Sequence, residues 1–199
     1  MGEPKMQTEE RYTYKDLLTW PENERWELIH GVPFQLEGPQ MAAPSTAHQD
    51  WVLELAHQFK TQLKGKPCKP YVAPVDVSLL HRAGDSAETT DTIVQPDVLV
   101  VCRREQDTGK AIVGAPVFVL EVQSASTAFR DQTDKLKLYE EAGVQEYLLF
   151  NPINFTAWIF RLGPNGRYGK PEVWMERTVI ELASLPGVTL DLTVELALE

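Results

Sequence analysis

The chain has 199 residues, 43% of them hydrophobic and 24% charged, and a formal net charge of −10. That length suits one sizeable core, and the composition excludes disordered, collagen-like and coiled-coil chains. The negative balance weighs against a protein that coats nucleic acid with a broad basic surface, though not against a carboxylate site offset by a bound cation.

Residues 1–10 are polar and lack the apolar stretch of a signal peptide, so they are expected as a disordered tail before a single domain over residues 11–199. Residues 24–36 alternate apolar and polar positions around His30-Gly31, the pattern of a hairpin. Residues 38–44, with two prolines and a glycine, read as a connection. A helix follows: Thr46 with Gln49 fits a capping box, and Val52, Leu55, Phe59 and Leu63 recur at helical spacing until Gly65 and Pro67. His48 falls on the same stripe.

A strand is expected over residues 71–79, with Asp76 and Ser78 on the face opposite Val75 and Val77. Residues 82–91 read as a loop. Residues 93–101 and 117–122 are valine-rich apolar runs, which suit strands covered on both faces. Arg103-Arg104 between them reads as a solvated turn. A second helix is expected over residues 129–142, a strand over 146–150, a hairpin over 156–176 and a closing segment over 186–198. The sum is an α+β chain, a mixed sheet with helices against it. No apolar run approaches the roughly 20 residues that span a bilayer. Cys68 and Cys102 stand in different segments, so free thiols in a reducing cytoplasm are expected.

Two carboxylates break the apolar runs. Asp97 opens Val98-Leu99-Val100-Val101, and Glu121 interrupts Val119-Leu120 and Val122. A buried ionised carboxylate is costly unless it is paired or bound to metal. Each acid alone could cap a strand or pair with an arginine; together they point to a site for Mg²⁺ or Mn²⁺, which accept oxygen ligands and phosphate. Gln123 projects to the same face as Glu121, and Lys135 and Tyr139 share a helix face at i, i+4. An inward Lys135 would stand beside a phosphate; an outward one would be a surface lysine, and spacing leaves both open.

Pro96-Asp97 followed by Glu121-Val122-Gln123 resembles the signature of the PD-(D/E)XK nuclease superfamily. More closely, the chain is similar to the restriction-endonuclease-like Uma2 family (DUF820) from Tyr12 to Leu192. The segments that carry this are Tyr12-Thr13-Tyr14, residues 26–31 and 44–49, Ala73-Pro74-Val75-Asp76-Val77, Val94-Gln95-Pro96-Asp97, Gly114-Ala115-Pro116, and residues 135–139 and 142–147. The resemblance implies a restriction-endonuclease-like mixed sheet flanked by helices, with N-terminal and C-terminal hairpins. It implies a metal held by Asp97, Glu121 and the backbone carbonyl of Gln123, with Glu27 as a third ligand or water-orienting group. His48 and Asp76 match supporting positions. The superfamily's usual lysine falls at Gln123 and is absent here; Lys135 matches a lysine that takes its place. Ser124-Ala125-Ser126 replaces the usual Ser-Pro-Ser. The implied function is metal-dependent hydrolysis of nucleic acid, DNA before RNA, by a cytoplasmic homodimer with no membrane partner. The competing reading is an inactive binding or assembly module on the same fold.

Overall fold

The computed structural model describes residues 10–36, 45–80, 86–124 and 128–196. The expected N-terminal tail, the connection at 38–44, part of the loop at 82–91 and Ser126 therefore lie outside the described residues.

After a short helix α1 (Tyr14–Leu17), β1 (Trp26–Ile29) and β2 (Val32–Gln35) pair antiparallel with Ile29 opposite Val32. His30 and Gly31 take φ of 50° and 77°, so both central residues are left-handed, as the twist of a two-residue hairpin demands. A Cβ at Gly31 would also meet Arg11 Cβ at 2.9 Å. α2 (Thr46–Gln62) begins one residue earlier than the capping-box reading placed it: Ser45, not Thr46, is the cap, its Oγ accepting from the His48 amide at 3.2 Å.

The expected strand over 71–79 is two strands, β3 (Lys69–Val72) and β4 (Asp76–Ser78). The expected strand over 93–101 is likewise β5 (Ile93–Val94) and β6 (Val98–Val101). Pro74 and Pro96 stand in the two gaps, where a ring without an N–H cannot continue a ladder. At each gap the chain changes sheet. β7 (Ala111–Val113), β8 (Phe118–Val122), β9 (Glu146–Asn151), β10 (Thr156–Arg161) and β11 (Glu172–Trp174) follow, and then the pair β12 (Val179–Glu181) and β13 (Thr189–Asp191).

One sheet runs β2-β1-β5-β4-β7 and the other β11-β10-β9-β8-β6-β3, each mixing antiparallel with one parallel pair. One face of the larger sheet presents Val98, Val100, Phe118 and Leu120 to Trp51, Leu55 and Phe59 of α2, with β12 and β13 closing the layer. Its other face presents Leu99, Val119 and Tyr147 to the smaller sheet and to Leu138 and Tyr139. Burying each Leu, Val or Phe of these layers contributes about 1.5–3 kcal/mol. The second long helix is continuous but not uniform: α3 (Ala128–Arg130), a π-helical turn (Asp131–Lys135) and α4 (Leu136–Ala142). No helix among the described residues is long and apolar enough to cross a membrane.

The cysteines correct an expectation. β3 and β6 pair with Lys69 opposite Val101, so Cys68 and Cys102 continue the register as direct neighbours and are joined as a disulfide. They stand 34 residues apart in the chain. Closing a loop of that length constrains the unfolded chain by about 3–4 kcal/mol.

Candidate active site at the junction of two sheets

Asp97 sits directly after Pro96, where the chain leaves the smaller sheet and enters the larger one. β6 and β8 pair with Val98 opposite Leu120, so one step further Asp97 stands opposite Glu121. The Asp97 amide lies 3.4 Å from Glu121 Oε2, and Asp97 Oδ2 accepts from the Val122 amide at 2.8 Å. The two acids thus stand opposite one another on neighbouring strands. His48 Nε2 lies 3.1 Å from Asp97 Oδ2, placing the first turn of α2 behind that carboxylate.

Alternation in β8 sends Glu121 to the face opposite Leu120 and Val122, toward the π-helical turn. There Glu121 Oε1 accepts from Lys135 Nζ at 2.9 Å and from the Tyr139 hydroxyl at 3.0 Å. The i, i+4 pair is thus inward, which settles the alternative of a surface Lys135. The same ammonium lies 2.9 Å from Glu27 Oε1 and 3.8 Å from Asp131 Oδ1. Because Glu27 belongs to β1, Lys135 joins an acid of each sheet. Glu27 also accepts from the Gln95 amide at 2.9 Å and pairs with Arg130 at 3.4 Å. Glu27 therefore has both an arginine and a lysine for partners.

Asp76 is set apart. Its carboxylate accepts from the Tyr14 hydroxyl at 3.1 Å and the Gln95 side-chain amide at 2.8 Å, and it reaches the cluster through Gln95 alone. The Gln123 amide donates to the Phe150 carbonyl at 2.7 Å, which carries the β8 backbone past Glu121. Arg130, Asp131 and Gln95 were missed from sequence. Asp131 stands four residues before Lys135, a spacing that could have flagged it.

Burial sets the electrostatics. Burial, then repulsion from Asp131, Asp97 and Glu27, pushes the Glu121 carboxyl well above the ordinary range, against the pull of Lys135. Glu27 goes the other way. Burial opposes ionisation there too, but Lys135, the Gln95 amide and Arg130 outweigh it and hold Glu27 below the ordinary value. Burial would lower Lys135, yet Glu121, Glu27 and Asp131 keep it well above a free lysine. His48 is raised because Asp97 outweighs burial. Two carboxyls that share one lysine are driven apart, a pattern that marks functional sites.

Burial of an acid is not enough to make a site. Glu146 is equally enclosed in β9, yet Arg161 at 2.7 Å, the Ala183 and Ser184 amides and the Ser184 hydroxyl satisfy it. No second acid faces it among those contacts. The cluster at Asp97 differs on both counts. It gathers Glu27, Asp97, Glu121 and Asp131 around the cations Lys135 and Arg130. It also leaves His48 Nδ1 and Gln123 Nε2 buried without hydrogen-bond partners among the described residues. Unsatisfied buried polar atoms are rare enough to need an explanation.

Those features bear on a metal. Among the described residues no group of three or more His, Cys, Asp or Glu side chains is arranged to hold one. A cage built wholly of side chains is thereby excluded for these residues. Mg²⁺ asks less, since it binds through one or two carboxylates and keeps several waters. Asp97 and Glu121 fit that requirement. The Asp97 side chain, 19% exposed, is where solvent reaches them.

A solved structure described as "a putative nuclease belonging to DUF820", from Anabaena variabilis ATCC 29413, is 18% identical. The match covers 91% of this chain and 95% of that one, with a TM-score of 0.69, and so shows a shared fold. A search of curated proteins finds no match. The model of the Uma2 family, described as "Putative restriction endonuclease", matches residues 14–195. A match of that extent, on a chain folded around opposed acids, shows that this protein belongs to the Uma2 family.

Proposed function

We propose that this chain is a divalent-metal-dependent nuclease that hydrolyses phosphodiester bonds of nucleic acid, DNA in particular. The observation that carries the reading is the opposition of Asp97 and Glu121 across β6 and β8. They sit in a cluster of four acidic side chains, Glu27, Asp97, Glu121 and Asp131, whose oxygens suit a divalent ion. Asp97, Glu121 and the backbone carbonyl of Gln123 would hold Mg²⁺ or Mn²⁺. Such an ion supplies Lewis-acid polarisation of the phosphate and lowers the pKa of a bound water.

The chain's own residues do the positioning. His48 and the Val122 amide fix Asp97 from two sides. Lys135 and Tyr139 fix Glu121 through one oxygen and leave the other turned toward Asp97. Lys135 would supply the positive charge that the superfamily's lysine, absent at Gln123, does not, and that charge would favour a phosphate gaining negative charge. A homodimer, able to address two strands, belongs to the same proposal; sedimentation as monomer alone would remove that part. So does a cytoplasmic location, which the Cys68–Cys102 bond opposes, since disulfides persist mainly in oxidising compartments.

The second reading, an inactive binding or assembly module, is favoured by one observation: Lys135 is already shared among three carboxylates. Calorimetric titration with Mn²⁺ separates the two. The nuclease reading expects binding by the parent that disappears in Asp97→Ala. It also expects cleavage of plasmid DNA to fall at least about 100-fold in Asp97→Ala and Glu121→Ala. Absent Mn²⁺ binding, or variants that cut as fast as the parent, would transfer the chain to the module reading.

A further inference from the structure

The acids gather at one end of β6, and a different population of charge gathers at the other. Beyond Val101 the chain passes Cys102 to Arg103 and Arg104, and these line an open cavity of about 1020 Å³. Lys60 at the C-terminal end of α2, Lys64 and Lys66 in the segment after it, and Lys69 of β3, the strand paired with β6, line the same cavity. Six of the chain's nineteen lysines and arginines therefore line one depression. Asp107 is the one carboxylate among the lining residues, which leaves six positive charges against one negative in a molecule of net charge −10. Asp107 is engaged with Lys69 at 3.4 Å and with the Tyr71 hydroxyl. Among the described residues, Lys60, Lys64, Lys66, Arg103 and Arg104 form no ion pair.

Ordinary causes account for part of this. Lys60 and Lys64 complement the negative end of the α2 dipole. The dipole does not explain why Lys66, Lys69 and two arginines from the end of β6 converge on the same space. Unpaired cations repel one another, and they concentrate counter-anions in a concave site. The cavity is large for a single phosphate, and its cations come from α2, the segment after it, β3 and the end of β6, so the chemistry it fits is a chain of phosphates.

We propose that this cavity is a second nucleic-acid contact, holding the sugar-phosphate backbone without reading bases. The identity of the polyanion rests on the nuclease reading; the anion site itself does not. Asp97 and Cys102 bracket β6, five residues apart, which sets the two regions about 17 Å from one another along the strand. α2 spans the same interval, with His48 near its start at Asp97 and Lys60 near its end at the cavity. A polymer seated in the cavity would be held at a fixed offset from the acids, through contacts that carry register and affinity rather than sequence.

The test is binding of a fluorescein-labelled 20-nucleotide DNA in EDTA, across a salt series, to the parent, Lys64→Glu/Arg104→Glu and Asp97→Ala. The double variant is expected to bind at least about 10-fold more weakly, with the slope of log K against log salt reduced by about 2. Unchanged affinity and slope in the double variant would overturn the proposal. So would binding of inorganic tripolyphosphate with none of the oligonucleotide, which would make the cavity a polyphosphate site. Loss of binding in Asp97→Ala with retention in the double variant would place the polymer at the acids, leaving the nuclease reading intact and this one refuted. Cavity-dependent binding by a protein that cuts nothing would do the reverse. Thermal unfolding of the double variant at the parent's temperature confirms that a loss of binding is not a loss of fold.

Discussion

The two ends of β6 hold charge under opposite conditions. At Asp97 the charges crowd together: Lys135 has three acidic neighbours, and the pKa directions of Glu27 and Glu121 diverge because Glu27 also has Arg130 and the Gln95 amide while burial and three neighbouring acids act on Glu121. At the basic cavity the lysines and arginines are exposed, and five of the six form no ion pair among the described residues. Burial makes each charge in the first group structural as well as chemical, because removing one strands its partners in a low-dielectric interior. Exposure makes each charge in the second group nearly free of consequence for folding, and able to act on something outside the molecule.

That contrast can be broken, or made sharper, by measuring stability at both ends. The largest effect is expected for Lys135→Met. It keeps much of the side-chain volume but leaves Glu27 and Glu121 facing without their shared ammonium, at a cost of about 3–5 kcal/mol in urea unfolding. In a chain of this size that lowers Tm by about 10 °C. A loss under 1 kcal/mol would mean that the buried charges are not coupled through this lysine. Tyr139→Phe removes one hydrogen bond to the Glu121 carboxylate, and about 1–2 kcal/mol is expected by the same measurement. The smallest effect belongs to the other end. Lys64→Glu should shift stability by no more than about 0.5 kcal/mol while weakening the binding of anions. A large destabilisation there would show that the cavity's cations hold the fold together, and the contrast would fail.

Much of the site was legible because it broke local rules. Glu121 in a valine-rich run has no local reason to exist, and Lys135 with Tyr139 share a helical face; both signals survive folding unchanged. The N-terminal hairpin was legible through His30-Gly31, whose conformation is set by the turn itself. What escaped depends on register and on chain crossings. The apolar pattern runs on through Pro74 and Pro96, so nothing local says that the chain changes sheet there. Cys68 meets Cys102 only because β3 pairs with β6 in one register. Arg103-Arg104 is the solvated turn that its sequence suggests, exposed at the short 3-10 turn Arg104–Gln106, but its four lysine neighbours come from another part of the chain. Arg130 escaped because its reach to Glu27 depends on how the helix winds between it and Lys135.

That winding has its own consequence. Asp131–Lys135 forms a π turn, in which hydrogen bonds skip to the fifth residue instead of the fourth. In a regular helix each residue advances the azimuth by about 100°, so one residue more or fewer resets everything beyond it. The turn therefore acts as a phase adjuster between two halves of one helix. Arg130 and Asp131 are aimed on one side of it, and Lys135 and Tyr139 on the other. Shortening the segment by a single residue would restore uniform winding and leave the Lys135 and Tyr139 pair in step. Arg130 and Asp131 would rotate away by about a quarter turn. The composition of the cluster is thus encoded in helix length as much as in side-chain identity.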